Sequence, residues 1–509
     1  MKIIVLTVIA ILIFSGARSQ QLNIIDTVKG EATIDDQPAI PAVLTRIPGY
    51  PGIRRRDTVP ADGRHNIYGD LLNDDPEYNK KSKWWVPALR VVAADVFTWA
   101  GDRYILNADF SHIGPKTWKR NLKEGWEWDA DRFGINFIGH PYSGNSYFNI
   151  ARSNGYSYWG SLPYAVEGSL IWEYFGENTR PSYNDIINTP ITGMFLGEIF
   201  YRLSSNILDD RTRGGERVLR EILAGILDPA RGLNRLTQGK SFRVTSKEVY
   251  QKEPLNITLN AGIHKVNVNN KFGTGPTNEI FNIQLDYGNP FEIRPRKPLD
   301  VFRLRAELSY GVGRKLLSNV NGYGFLFGKN IARENHGLLI GGFQNFDYWD
   351  NMTFELGTIG FGGGLISRVP VTKRSNIYSA LHFAVVPLGA NSTQYGPDTS
   401  EYRDYNFGGG LEAKAEETFN LNQWATLGFN AFYYWIHTYE GLPGNSLVGI
   451  LRPRITVRLF KNLSIGFEHH IYHNDRFLNG VPTLHITRKE QKFFLQLFLE
   501  DPKRRGHYN

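Results

Sequence analysis

Between residues 255 and 500, apolar and polar side chains alternate along one segment after another, for example over 302–310, 425–435, 451–459 and 493–499. A period of two is typical of a β-strand, because successive side chains of a strand point to opposite faces of the sheet. About a dozen such segments follow one another, at roughly twenty residues per strand and connection, which indicates long antiparallel strands. This alternation constrains the fold more than any other feature of the chain.

Two architectures accommodate such strands. In a soluble sandwich one face packs on a second sheet, whereas in an outer-membrane barrel one face contacts lipid and the other lines a polar lumen. Long strands, charges of both signs on the polar face and aromatic residues near strand ends favour the barrel; these aromatics are Tyr310, Tyr348, Trp349, Tyr434 and Trp435. We predict an α+β chain in which residues 241–509 form an antiparallel transmembrane β-barrel of about 12 strands, within a range of about 12–14. A periplasmic binding protein with a soluble β-sandwich is the alternative.

Composition excludes several classes of protein. The 509 residues include no cysteine, so disulfide scaffolds, thiol catalysis and thiolate zinc sites are ruled out. Fifty-two glycines and 13% aromatic residues suit a β protein. The net charge of +8 could indicate nucleic acid, but an exported protein is expected to meet anionic lipid headgroups or glycans instead.

The first residues resemble a secretory signal peptide. Lys2 precedes the apolar stretch 3–14, and small residues at Ala17 and Ser19 fit a cleavage site before Gln20. We therefore predict a cleavable signal over 1–19 and localisation in the cell outer membrane. Residues 20–82 contain several prolines and little to bury, which predicts an extended or disordered lead-in.

Helical periodicity replaces alternation between residues 83 and 240, which we interpret as a helical domain. The apolar spacing and the capping residues predict five helices, over 86–99, 141–154, 159–175, 181–206 and 216–227. Gly193 and Gly197 form a small-x-x-x-small pair, which predicts close packing against another element.

A dense local motif lies in this domain. It comprises Trp126-Glu127-Trp128-Asp129-Ala130-Asp131-Arg132-Phe133, then His140-Pro141-Tyr142-Ser143-Gly144, and later Pro181-Ser182-Tyr183-Asn184-Asp185. The region from about Trp84 to Lys240 resembles a bacterial family known as domain of unknown function 3943. The resemblance implies exported outer-membrane proteins of Bacteroidota-like bacteria, and it implies no activity.

Four polar residues of this domain are candidate catalytic residues: His140, Glu173, Glu177 and Asp185. Glu173 and Glu177 lie one turn apart on a predicted helix, where two carboxylates could bind a divalent cation or share a proton. The alternative is a polar helix rim. Because His140 precedes a proline, we expect it in a loop, as a base or as an ordinary turn histidine. Asp185 with Ser182 fits a helix N-terminus, in which the Ser182 hydroxyl caps free amides.

The leading functional hypothesis is a non-enzymatic outer-membrane barrel with a helical plug or a periplasmic helical domain, serving envelope maintenance, transport or assembly. The alternative is an outer-membrane hydrolase or transferase that acts on lipid or glycan through His140 and the nearby carboxylates. This alternative requires His140 within about 10 Å of at least one of them. We expect no cofactor and no nucleic acid. The expected partners are outer-membrane lipid, lipopolysaccharide and other envelope proteins.

Overall fold

A computed structural model describes Leu72 and residues 80–501 apart from 293–295, 312–315, 334–335, 352–353, 394–403 and 423. The predicted signal peptide and nearly all of the predicted lead-in lie outside the described residues. Helices come first along the chain and strands follow, which confirms the predicted α+β order.

Seven α-helices occur among the described residues. They are α1 (Trp85–Gly101), α2 (Pro115–Lys123), α3 (His140–Arg152), α4 (Tyr158–Ile171), α5 (Tyr183–Ile207), α6 (Gly214–Leu227) and α7 (Pro229–Thr237). Five of these correspond to predicted helices. The sequence analysis missed α2, which is short and polar, and α7, whose first residue Pro229 was interpreted only as the end of α6. Within the described part of the chain, every helix is too short or too polar to cross a membrane.

The strands close into one antiparallel barrel in which every strand pairs with its sequence neighbours and β1 pairs with β12. The strands are β1 (Leu255–Val266), β2 (Thr277–Tyr287), β3 (Phe302–Tyr310), β4 (Leu317–Arg333), β5 (His336–Asp350), β6 (Glu355–Pro370), β7 (Asn376–Ser392), β8 (Tyr405–Leu421), β9 (Ala425–Glu440), β10 (Gly444–Phe460), β11 (Leu463–Leu478) and β12 (Leu484–Leu499). The predicted barrel of about 12 strands is confirmed.

The inner face of the barrel wall carries paired charges. Arg303 on β3 reaches Glu416 on β8, with 2.6 Å between Nη1 and Oε2, and Arg305 Nη1 contacts the same carboxylate at 2.6 Å. Lys492 contacts Glu307 at 2.7 Å. Because β3 and β8 lie on different sides of the closed sheet, these pairs cross the lumen. At these positions the barrel's own side chains occupy the lumen.

The helical domain packs on the outer face of the wall. On β5, Asp347 points inward and pairs with Lys414, so its neighbours Phe346 and Tyr348 point outward. Phe346 contacts Phe195 of α5, with 6.3 Å between ring centroids, and Tyr348 stacks on Phe133 at 5.2 Å. The helices therefore contact the face of the sheet that lies opposite the lumen.

The same outer face continues beyond the helices. On β8, Phe407 is buried against Trp128, with 5.1 Å between their rings, whereas Leu411 on the same face is exposed. Glycine permits close contact at Gly357, where a Cβ atom would approach Phe137 to 2.3 Å. These contacts do not support a helical plug inside the lumen, whereas the predicted periplasmic position of the helical domain stays a prediction. The alternation along a strand defines its two faces, but it does not show which face the helices cover.

Candidate active site

His140 lies at the junction between the helical domain and the barrel. A π-helical turn, Ile135–Gly139, leads directly into α3, and His140 has helical torsions of φ −59° and ψ −45°. The expected loop conformation is therefore wrong. Pro141 occupies the first turn of the helix, where its missing N–H costs no hydrogen bond, and the π-turn accommodates its ring.

The imidazole faces two carboxylates. His140 Nε2 lies 3.6 Å from Asp185 Oδ1 and 4.0 Å from Asp131 Oδ2. Both distances exceed a direct hydrogen bond and are short enough for an ion pair when the imidazole is protonated. Ligating atoms of Asp129, His140 and Asp185 lie within 4.8 Å of one another. The structure thus meets the requirement that His140 approach a predicted carboxylate.

Asparagine side chains hold this centre in place. Asn184 donates to Asp185 Oδ1 at 2.9 Å and accepts the backbone N–H of Asp129 at 2.9 Å. It also donates to Asn136 Oδ1 at 3.1 Å. Asn136 donates to the hydroxyl of Tyr405, on barrel strand β8, at 2.7 Å. The barrel wall therefore contributes directly to the orientation of the site.

Glu173 and Glu177 do not share a helix face as expected. Glu173 lies in a π-helical turn, Trp172–Gly176, and Glu177 follows it in extended conformation with φ −133° and ψ 162°. Glu173 is buried and accepts the backbone N–H of Ser182 at 2.7 Å. This bond also corrects the expected cap, since the Ser182 side chain makes no capping hydrogen bond to α5. Among the described residues, the group with metal-ligand spacing is Asp129, His140 and Asp185.

Burial and neighbouring negative charges raise the pKa values of four carboxyl groups at this site. Burial, then the charges of Asp129 and Asp131, raise the pKa of Asp185 well above its ordinary value. Burial also raises the pKa of Glu173 strongly, with Glu177 and Asp185 adding to the shift. The pKa of Glu177 is raised to about 8 by burial, and that of Asp131 to about 6 by burial and Asp129. His140 lowers the pKa of Asp131 and of Glu177, and so opposes the effect of burial on these two groups.

The solvent exposure of the side chains at this site falls from Asp131 through His140 to Asp185. The side chain of Asp131 is 49% exposed, that of His140 is 16% exposed and that of Asp185 is 3% exposed. A substrate could therefore approach past Asp131 and meet His140 before the buried carboxyl group. Such a gradient suits a proton-transfer pair with one accessible and one protected member.

The close approach of α3 to α5 brings His140 and Asp185 together. A Cβ atom on Gly144 would lie 1.8 Å from the carbonyl oxygen of Thr189, and one on Gly193 would lie 2.4 Å from the backbone of Gly144. A Cβ atom on Gly197 would meet Phe148 at 2.6 Å. Both members of the predicted small-residue pair thus lie at packing contacts.

The sequence analysis missed Asp129 and Asp131 as members of the centre, together with Asn136 and Asn184. The acidic pair in the Trp126–Phe133 motif was a visible signal for the first two. The asparagines gave no signal, because a buried amide is recognisable only once its partners are known.

Comparisons with known proteins agree with the resemblance in the helical domain. The model of a family described as Domain of unknown function (DUF3943) matches residues 125–230. This match confirms the predicted family resemblance. No curated protein matches the chain.

Solved structures of outer-membrane proteins are similar to about half of this chain. A NanC porin structure has 8% identity and a TM-score of 0.27, covering 47% of this chain and 98% of that chain. The outer membrane channel DcaP of Acinetobacter baumannii has 7% identity and a TM-score of 0.21, covering 48% and 96%. The Pseudomonas putida toluene transporter TodX has 6% identity and a TM-score of 0.21, covering 49% and 89%.

Proposed function

We propose, for a chain whose residues 125–230 match the DUF3943 family, that the barrel is an outer-membrane anchor and that the helical domain is a hydrolase. The observation that carries this proposal is the convergence of His140 with Asp131 and Asp185. The substrate class is a lipid or glycan of the envelope. The family match adds no activity to this argument.

The outer face of the barrel supports a membrane location. Large apolar side chains are exposed there, including Phe383 at 59% and Val385 at 56%, and Trp435 and Leu495 continue the surface. An exposed apolar surface of this extent is unfavourable in water and suits the hydrocarbon region of a bilayer. Export by a cleavable signal peptide over 1–19 belongs to the same proposal.

The inner face supports an anchor and not an open channel. Arg303, Arg305 and Glu416 join opposite walls, and Lys492 pairs with Glu307. We expect proteoliposomes containing the protein to show no large, ungated conductance.

The proposed hydrolysis depends on one side chain that accepts a proton and another that donates one. A water held between His140 and Asp131 would lose a proton to the imidazole and attack the substrate, while the adjacent carboxylate stabilises the imidazolium. The Asp185 carboxyl group, whose pKa burial raises well above its ordinary value, is positioned to give a proton to the leaving oxygen. Asn184 and Asn136 orient these groups without entering the reaction.

Turnover of envelope material by the full chain tests this function. Purified protein in proteoliposomes would be incubated with outer-membrane phospholipid, lipopolysaccharide and peptidoglycan fragments, and products identified by mass spectrometry. We expect His140→Gln to lower the rate by about 100-fold or more. The matched control is His473→Gln, since His473 lies on β11 and its ring contacts Thr487 and Asp475 of the barrel. An unchanged rate in His140→Gln would contradict the proposal, and no turnover of any fraction would favour a non-enzymatic barrel.

A further inference from the structure

Helix α1 has its polar and apolar sides reversed relative to a soluble helix. Its two charged residues point into the domain: Arg90 donates to Asn234 at 2.5 Å, and buried Asp95 accepts the hydroxyl of Tyr147. All of its exposed side chains except Thr98 are apolar, and Phe97 is 81% exposed. The exposed apolar residues of α1 and the turn after it are Trp85, Leu89, Val96, Phe97, Tyr104, Ile105 and Leu106, here called the α1 face.

The helical pair α6–α7 repeats this reversal. Arg217 and Arg235 are buried and share the carboxylate of Asp210, at 3.1 Å and 2.9 Å. Large apolar side chains recur at helical spacing among the exposed residues of this pair; they are Val218, Ile222, Ile226, Leu233 and Leu236. The first turn of α6 also exposes Glu216, which pairs with Arg220 at 2.8 Å. Two separate surfaces of the domain therefore place arginines inside and aliphatic side chains outside.

The interior of the domain has the chemistry of a membrane helix bundle. Glu198 is buried and pairs with Arg152 at 2.7 Å and with Arg202 at 2.9 Å. Helices α3 and α5 approach through Gly144 and Gly193. Small residues at helix contacts and polar residues turned inward are the features by which helices associate in lipid, where apolar surface gives no drive to bury itself.

The helical domain lies beside apolar barrel surface that lipid would cover. The outer face of β7 changes from residues that cover the helices, Leu388 and Ala390, to exposed Phe383 and Val385 without a polar boundary. Helix α2 carries Lys116, Lys119 and Lys123 with exposed Leu122. Lysines next to an apolar surface are suited to anionic lipid headgroups.

We infer that the α1 face and the α6–α7 surface are embedded in the lipid that surrounds the barrel, and that a membrane lipid reaches His140 from this side. The route is marked by exposed Ile135, in the turn before His140, and exposed Tyr183, at the start of α5. The inference rests on the proposed membrane location and names a lipid as the substrate class of the same site.

Single-cysteine spin labelling tests the embedding directly, since the chain contains no native cysteine. Phe97→Cys and Ile105→Cys would be labelled in full-length protein reconstituted into phosphatidylethanolamine and phosphatidylglycerol vesicles. Relaxation by oxygen, which partitions into lipid, would be compared with relaxation by a water-soluble nickel chelate. Phe383→Cys on the outer barrel face is the lipid control, and Glu124→Cys, exposed after α2, is the water control.

We expect the labels at 97 and 105 to match the label at 383, with oxygen relaxation exceeding nickel relaxation severalfold. If they match the label at 124 while 383 reports lipid, the embedding is refuted and the proposed function stands. If 383 also reports water, the proposed membrane location fails instead.

The lipid route has its own test. Phosphatidylethanolamine with a diazirine on its acyl chain would be activated in the same vesicles, and labelled peptides mapped by mass spectrometry. We expect adducts on 97–106 and on the peptide that contains Ile135 and His140. Adducts on barrel strands alone would refute the route, whereas adducts at 135–140 without turnover would contradict only the hydrolase proposal.

Discussion

The barrel interior and the centre of the helical domain both bury many charged groups, but they balance them differently. In the barrel, acids face bases: Glu416 contacts two arginines at 2.6 Å, and Glu307 contacts Lys492 at 2.7 Å. In the helical domain, Asp129, Asp131 and Asp185 gather around one histidine, with His140 Nε2 3.6 Å from Asp185 and 4.0 Å from Asp131. Carboxylates that are paired with basic side chains stabilise the folded barrel. A cluster in which acidic groups outnumber the basic ones is unfavourable for folding, and such clusters are typical of catalytic sites.

The largest expected loss of stability comes from removing an acidic partner of the ion pairs in the barrel lumen. Glu416→Ala would remove the carboxylate that Arg303 and Arg305 share in the lumen, and we expect a loss of about 3–5 kcal/mol in the free energy of unfolding. The temperature at which the folded barrel loses its characteristic electrophoretic mobility measures this loss.

The control for this prediction is the next residue. Glu417 lies on the opposite face of β8, where it accepts a hydrogen bond from Ser379 at 2.5 Å. Glu417→Ala is expected to cost about 1 kcal/mol. Equal losses in both variants would show that the lumen charges are not a stabilising network.

A substitution at the contact between α3 and α5 is expected to have an intermediate effect on the free energy of unfolding. Gly193→Ala places a Cβ atom 2.4 Å from the backbone of Gly144, so the helices must separate and His140 moves from Asp185. We expect a destabilisation of about 1–3 kcal/mol, together with loss of turnover. Gly225→Ala is the matched control, because its nearest contact would be 3.5 Å. Retention of stability and turnover in Gly193→Ala would contradict this packing.

The smallest expected effect is a dependence of the stability of the helical domain on pH, which arises from its carboxyl groups with raised pKa values. Carboxyl groups with pKa values raised in the folded state bind more protons folded than unfolded, so the helical domain should lose stability as pH rises from about 4.5 to 8. Each such group contributes at most about 1.4 kcal/mol per pH unit. Chemical unfolding followed by tryptophan fluorescence would give the slope. Glu177→Gln should flatten it, and an unchanged slope in this variant would refute the assignment.

Sequence alone predicted the barrel and five of the helices because periodicity is a local property. Alternation at 302–310 and 425–435 defined strands, and helical spacing defined α5 nearly to its ends. The same reasoning placed His140 wrongly in a loop, because the π-turn Ile135–Gly139 that accommodates Pro141 leaves no mark in a hydrophobic pattern.

The position of the helices could not be predicted, for a physical reason. Residues that contact helices, such as Phe346, and residues on the bare outer face, such as Phe383, are both apolar. A strand face that contacts a helix and one that contacts lipid acyl chains both require apolar side chains, so the sequence pattern does not distinguish them. The candidate site was predicted in part because His140 and Asp185 are titratable, while Asn136 and Asn184 act only through three-dimensional contacts.

The most direct test of the central claim asks which side of the wall the helices contact. Phe195→Cys on α5 would be paired either with Phe346→Cys, on the outer face, or with Asn345→Cys, its inward-facing neighbour, and treated with a short bis-maleimide in proteoliposomes. Phe195 and Phe346 have ring centroids 6.3 Å apart, so efficient crosslinking of 195 to 346 and little to 345 is expected. Preferential crosslinking of 195 to 345 would place the helices inside the lumen and contradict the account.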